Sequence, residues 1–302
     1  MNPLITVFTP AYNRAHTLPR TYKSLQRQKI KNFKWLVIDD GSTDHTGSLV
    51  REWQRTETSF EIDYIYKENG GMHTAHNTAY ENIDTILNVC IDSDDCLAED
   101  AIQYICDTWE IIKNDSHCAG IIALDADMQG KVIGSGFPKS LRYTTLLDYY
   151  YKYHGKGDKK LVYRTSVMKQ YPPYPVFAGE KYVSLACKYV MCDQDYNLYV
   201  LPRVLCNVDY QADGSTATMW KQYLACPNGF AYSRRLDLQY IHNPKKLLTT
   251  AIHYDSTCIL AGRKKFISDS PRKILTACML PYGAALSKVV RIKGKEQQKG
   301  SY

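Results

Sequence analysis

From its start to Leu124 the chain alternates, almost without interruption, between short apolar runs and stretches with helical spacing. Residues 4–9, 35–39, 62–66, 86–91 and 119–124 read as strands. Residues 17–28, 46–55, 98–109 and the stretch near 73–80 read as helices between them. A strand–helix–strand series of this kind predicts an α/β fold, with a mostly parallel sheet covered by helices on both faces. In such sheets ligands bind outside the carboxyl ends of the strands, so the residues that follow each strand are the ones to inspect.

Beyond Asp125 the alternation stops. Residues 128–131 read as a turn, 141–153 are rich in aromatics, and Tyr171-Pro172-Pro173-Tyr174-Pro175 favours extended loops over helix. Helical spacing returns after Met219, over 244–261 and 272–290. The predicted organisation is a catalytic domain over residues 1–218 and a helical, basic extension over 219–302. With 302 residues and 44% hydrophobic types the chain can bury a full core. It opens on an apolar run without leader features and has no apolar stretch of the roughly 18 residues that read as a spanning helix. Its ten cysteines include no Cys-x-x-Cys pair, which predicts free thiols in a reducing cytoplasm. The net charge of +7 is concentrated between Arg263 and Lys299, where ten Lys or Arg face only Asp269 and Glu296. That asymmetry argues against a general nucleic-acid binder and for a local contact with an anionic membrane surface.

Four predicted strand ends carry polar clusters: Thr9 to Arg14, Asp39 to Asp44, Lys67 to Gly71, and Asp92-Ser93-Asp94-Asp95. The last is the sharpest. Three carboxylates directly after a buried strand repel one another unless a cation or donors neutralise them. A hard divalent ion, Mg²⁺ or Mn²⁺, held by one or two carboxylates and substrate phosphates would supply that charge. Helix capping accounts for one Asp and leaves two unexplained. Taken alone, Asp39-Asp40-Gly41-Ser42 reads as turn chemistry, and Asn69-Gly70-Gly71 as a turn or a phosphate-binding helix start.

In this order the clusters resemble glycosyltransferase family 2, whose members share the GT-A fold. The matching text is Val7 to Arg14, Leu36 to Asp44, Asn69-Gly70-Gly71 with Ala75-His76-Asn77, and Ile91 to Asp95. The resemblance implies a GT-A type Rossmann-like sheet and a metal-dependent hexosyl transfer, inverting, from a UDP-sugar or similar nucleotide-sugar donor. The acceptor would be a saccharide or lipid-linked saccharide in cell-surface polysaccharide synthesis. By the same resemblance Thr9, Pro10, Tyr12, Asp40 and Asn69 line the donor pocket, with Asp40 accepting from a uracil-type ring N–H. Asp92 faces the donor ribose or the metal, and Asp94 is the principal metal ligand. His76 stands where the family usually has Arg, so it reads either as a phosphate donor or as part of a solvated helix face.

Phe177 to Val183 looks like the family's acidic motif at the start of the acceptor-side helix, which makes Glu180 the candidate catalytic base. Lys181 stands where relatives often carry an Asp, so Asp193 and Asp195 are alternatives. Asp213, in Tyr210 to Ser215, reads first as a turn residue and second as an acceptor contact. Two other functions are weighed: a nucleotide-sugar-binding membrane scaffold without turnover, and a nucleotidyltransferase.

Overall fold

The computed structural model describes residues 2–209 and 219–299. They form two compact units. One runs to Pro172 and resumes at Asp195; the other takes Pro173–Gln194 and the chain from Met219 onward. The single boundary expected after residue 218 falls at the edge of the stretch outside the described residues.

The first unit follows the alternation read from the sequence. Its elements are β1 (Ile5–Ala11), α1 (Leu18–Gln26), β2 (Phe33–Asp39), α2 (Thr46–Thr56), β3 (Ile62–Tyr66), α3 (Met72–Asn82), β4 (Leu87–Cys90), β5 (Cys96–Leu97), α4 (Ala101–Ile112) and β6 (Cys118–Asp127). They continue with β7 (Tyr143–Thr144), α5 (Leu146–Tyr151), β8 (Lys159–Arg164), α6 (Thr165–Met168) and, after the other unit's inserted segment, β9 (Asn197–Val208). The strands lie in the order β3-β2-β1-β4-β8-β6-β9-β5, with β7 beside β9.

The β3-β2-β1-β4 half is parallel throughout. In the other half β8 runs antiparallel between β4 and β6, while β6 and β9 pair in parallel. The sheet is thus mixed on one side, and β8 lies in a stretch where no strand is expected from periodicity.

Every residue of β1 and β2 is buried, as expected of strands covered on both faces. Trp35 is fully buried and stacks near Tyr22, which in turn stacks on Trp53 with ring centroids 4.4 Å apart. Gly120 lets β8 come close where β6 bulges: a Cβ there would lie 1.9 Å from the Val162 carbonyl oxygen.

The second unit is helical, with α7 (Ala186–Cys192), α8 (Met219–Ala225), α9 (Pro227–Tyr240), α10 (Pro244–Leu260), α11 (Phe266–Asp269) and α12 (Lys273–Lys299). Ala251, Tyr254 and Cys258 of α10 pack with Leu238 of α9 and with Leu275 and Met279 of α12. Gly283 lets α12 lie close on α10, since a Cβ there would meet that of Asp255 at 2.3 Å. No helix among the described residues is long and apolar enough to cross a membrane.

Candidate active site

Because β1, β2, β3 and β4 are parallel neighbours, the four polar clusters lie along one edge of the sheet. The first two are hydrogen-bonded to each other. Asn13, at a positive φ of 53°, accepts from the Thr43 amide at 2.8 Å and donates its own amide to the Ser42 hydroxyl at 2.9 Å. The Arg14 amide donates to Thr46 Oγ1 at 2.9 Å. Asp39 is buried and holds the base of its loop, accepting from the Ser42 amide at 2.8 Å and from the Tyr64 hydroxyl at 2.6 Å. Burial and the Asp39 carboxylate push the Tyr64 phenol up to about 12.

Asp40 holds the third cluster. Its Oδ1 accepts from the Gly70 amide at 3.0 Å and from Lys67 Nζ, and its Oδ2 from the Gly71 amide at 2.8 Å. Lys67 also donates to Thr74 Oγ1 at 2.8 Å. The two loops touch so closely that a Cβ on Gly41, at φ 83°, would lie 2.7 Å from the Asn69 nitrogen, so only glycine fits there without strain. Thr9 is fully buried, accepting from the Trp35 indole at 3.0 Å, and Pro10 is buried beside it. Tyr12 is 48% exposed at the rim and Asn69 is half-buried.

The acidic cluster is held by its backbone. The Asp95 amide donates to the Asp92 carbonyl at 3.0 Å; Arg20 of α1 donates to the Asp94 carbonyl, and Thr21 donates to the Asp95 carbonyl at 2.8 Å. Arg20 also pairs with Asp209 at 2.8 Å, and the buried Asp95 accepts from the Asp209 amide at 3.1 Å. The fourth cluster is thereby joined to α1 and to the end of β9. Burial, then the charge of Asp92, pushes the Asp94 carboxyl up, against Arg14 and Arg20. Burial takes Asp95 up to about 7, against Lys160. Burial also works against the Lys160 ammonium. The Cys206 thiol and the carboxylates of Asp125, Asp92 and Asp95 outweigh it and hold Lys160 well above the ordinary lysine range. Asp125 is itself buried, and its Oδ1 has no hydrogen-bond partner.

The donor set fits a hard divalent cation in one particular way. Asp92 and Asp94 are half-buried carboxylates whose mutual repulsion a cation would relieve. Among the described residues no three His, Cys, Asp or Glu side chains are grouped so as to hold an ion by themselves. Phosphate oxygens would have to complete the coordination, the usual manner of Mg²⁺ in nucleotide sites.

His76 is fully buried, edge-on to Phe8 at 5.0 Å between ring centroids, with Nε2 3.6 Å from Cys90 Sγ. Burial removes the solvated-face reading and keeps the ring from a phosphate at the surface. His73, on the first turn of α3, is buried with neither ring nitrogen hydrogen-bonded. Burial lowers its pKa, against Asp40, and keeps it neutral.

Glu180 sits in a quite different setting. The helix expected to begin there starts at Ala186, leaving Glu180 in a loop. Its Oε1 accepts from the Asn228 amide at 3.0 Å and from Asn228 Nδ2 at 2.8 Å, and its Oε2 from the Gly229 amide at 2.8 Å. Pro227 opens α9, and Cys226 before it provides no side-chain cap. Glu180 therefore satisfies two orphan amides of α9 and meets the positive end of its dipole. Lys181 is exposed. Asp193 ends α7, and Asp195 accepts from the Tyr171 hydroxyl at 2.8 Å. Asp213 lies outside the described residues.

Arg20, Lys67, Asp125 and Lys160 take part in the edge but were not singled out from sequence. Lys67 belongs to the third cluster, where the sequence points to Asn69 and the glycines. The others lie inside helices or strands, where nothing but the fold directs them to the carboxylates.

Comparison with known proteins gives a consistent picture. The sequence model described as glycosyl transferase family 2 matches residues 6–171. Glycosyltransferase GlyA of Streptococcus pneumoniae is 35% identical over 99 residues, 33% of this chain and 14% of that protein. Chondroitin synthase of Escherichia coli is 30% identical over 45% of this chain and 19% of its own length. A Bacillus subtilis protein named putative teichuronic acid biosynthesis glycosyltransferase TuaG is 29% identical over 33% of this chain and 40% of its own. The matched stretch thus spans less than half of each relative. Among solved structures, residues 1–349 of S. aureus TarS in complex with UDP-GlcNAc superpose with a TM-score of 0.62 at 16% identity, covering 100% of this chain and 92% of that one. Mannosyltransferase PcManGT of Pyrobaculum calidifontis, in complex with GDP-Man and Mn²⁺, gives 0.55 at 18% identity, covering 99% and 85%. These likenesses show the GT-A fold.

Proposed function

Since this chain belongs to glycosyl transferase family 2, we propose that it transfers a sugar from a nucleotide-diphosphate donor, a UDP-sugar by preference, to a hydroxyl of a saccharide or lipid-linked saccharide, with inversion. The observation that carries this reading is the hydrogen-bonded edge of β1–β4, whose loops carry Asp92, Asp94 and an exposed Tyr12. The TarS complex with UDP-GlcNAc and the polysaccharide synthases among the relatives support the donor and acceptor classes.

Tyr12 offers its ring to the base. We assign reading of the base to Asp40: a carboxylate has about four lone-pair sites, and the Gly70, Gly71 and Lys67 donors use three. Lys67 and the two amides fix its orientation in advance, which reduces the ordering cost of binding. Asn69 from the third loop, and Thr9 and Pro10 from the end of β1, are assigned to the wall of the donor pocket. Mg²⁺ or Mn²⁺ held by Asp94 and Asp92 with the donor phosphates would offset charge on the departing diphosphate. Arg20 keeps the Asp94 backbone in place as that charge develops.

An attacking hydroxyl must lose its proton, and a carboxylate within hydrogen-bond reach takes it; we assign this to Glu180. The second reading, a nucleotide-sugar-binding protein without turnover, draws on one observation: Glu180 already accepts three hydrogen bonds, with Lys181 as its neighbour. Family membership gives no support to a nucleotidyltransferase. The basic segment from Arg263 is proposed to bring the protein to the anionic cytoplasmic face of a membrane.

A thermal-shift panel of UDP-, GDP- and dTDP-sugars with and without Mn²⁺ tests the function, because a ligand that binds the folded state raises its melting temperature. A Mn²⁺-dependent rise with UDP-sugars is expected. No rise with any nucleotide sugar would overturn the reading.

A further inference from the structure

Helix α12 has two apolar faces. Thr276, Gly283, Ser287, Val290 and Gly294 are buried on one of them, where Val290 packs with Tyr223 and Phe230 and Gly294 meets Leu224. A helix closed by a single packed face would be polar elsewhere. Instead Ile274, Cys278, Pro281, Ala285, Val289 and Ile292 follow one another in steps of three and four residues, and all are exposed. Ile274 is 83% and Ile292 60% exposed. At 3.6 residues per turn these steps draw a single stripe along the helix, opposite the buried face. Tyr282, 62% exposed, stands at the edge of the stripe.

The residues bordering the stripe are basic. Lys273, Lys288, Arg291 and Lys295 are exposed along one flank and Lys293 along the other. Lys293 lies over the Trp220 ring at 4.9 Å. Glu296, the acidic residue of this segment, is exposed one step beyond Ile292 on the same line and ends the apolar stripe there. A bare apolar stripe between cations is the pattern of a helix that lies in a bilayer interface. Its apolar side chains enter the acyl boundary, and Lys and Arg extend to anionic headgroups. A second protein chain would cover the stripe equally well, but it would have to bring acidic groups to both flanks. An anionic lipid surface supplies them everywhere.

We propose that the outer face of α12 docks in the plane of an anionic lipid bilayer. The proposal deepens the membrane contact suggested above, from a basic segment to one helix face, and it does not depend on sugar transfer.

The test is co-sedimentation of the whole chain with phosphatidylglycerol–phosphatidylcholine vesicles and with pure phosphatidylcholine vesicles. Ile274→Asp/Val289→Asp/Ile292→Asp serves as the stripe variant and Lys288→Gln/Arg291→Gln/Lys295→Gln as the charge variant. Circular dichroism melts and sedimentation equilibrium accompany each protein. Wild type is expected to bind the anionic vesicles, and each variant to lose at least about tenfold in partitioning while remaining folded. A Val289→Ala/Ile292→Ala variant, which keeps the helix without adding charge, should fall in between. If the stripe variant binds as wild type does while the charge variant fails, the contact is purely electrostatic and the docking face is overturned; the basic-segment reading survives. Failure of wild type to bind overturns both, and a stripe that proves instead to hold two copies together overturns the docking face. Nucleotide-sugar binding, measured on the same proteins, stands or falls separately.

Discussion

The loops at the ends of β1–β4 and the loop around Glu180 both place carboxylates at the start of helices, yet the two regions handle the charge in opposite ways. Glu180 is matched donor for donor by α9, and its oxygens meet three N–H groups. At the sheet edge Asp39 and Asp40 are matched in the same manner, whereas burial and then the charge of Asp92 lift the pKa of Asp94. A third case guards against reading every unmatched carboxylate as a site. Asp255 of α10 is fully buried with neither oxygen hydrogen-bonded, and burial takes it up to about 7. It is one isolated acid among helices, which can remain neutral. Asp92, Asp94 and Asp95 differ from it in being clustered, so that each raises the cost of ionising its neighbours.

The comparison breaks most readily at Asp94. Asp94→Ala should lower donor hydrolysis and transfer by about 10³-fold or more, the loss of several kcal/mol of charge stabilisation. Radiolabelled donor turnover in Mn²⁺ measures it, and full activity of the variant in EDTA would remove the metal assignment. Glu180→Gln separates base from anchor. As base it should lose about 10²–10⁴-fold in kcat with donor affinity unchanged. If only the anchor matters, the variant keeps its kcat and loses about 1–3 kcal/mol in denaturant unfolding.

Asp255→Asn sharpens the contrast with an isolated acid. In the unfolded chain Asp ionises near pH 4, while in the folded protein it holds its proton to about 7. Its contribution is therefore complete below about pH 4 and is lost as pH rises through about 7. The loss amounts to about 2–4 kcal/mol. Urea titrations from pH 4 to 8 should show that decline in wild type and a flatter profile in the variant. The smallest effect is expected at the rim, where Tyr12→Ala should weaken donor binding roughly tenfold through lost stacking. Equal affinity by calorimetry would take Tyr12 out of the pocket.

The common edge of the four polar clusters was legible because parallel strands bring successive loops to one edge, so order in sequence becomes proximity in space. Thus Asn13 reaches Thr43, and Asp40 reaches Gly70, through neighbours that βαβ connectivity dictates. The antiparallel β8, which carries Lys160, was not legible. Its six residues mix Lys, Tyr and Arg with two aliphatics, and only the register with β4 and β6 places it in mid-sheet. Of the two readings of His76, the solvated face fails because a helix face reads as solvated until its neighbours are known, and here they are Phe8 and Tyr80. The partners of Glu180 lie some 48 residues along the chain, a tertiary pairing that no local spacing announces.

Calorimetric titration of UDP-sugar into wild type and Asp94→Asn, each with Mn²⁺ and with EDTA, tests the central claim most directly. The account predicts saturable binding by wild type in Mn²⁺ alone, with the asparagine variant weakened at least about tenfold. Equal binding by both proteins in EDTA would contradict it.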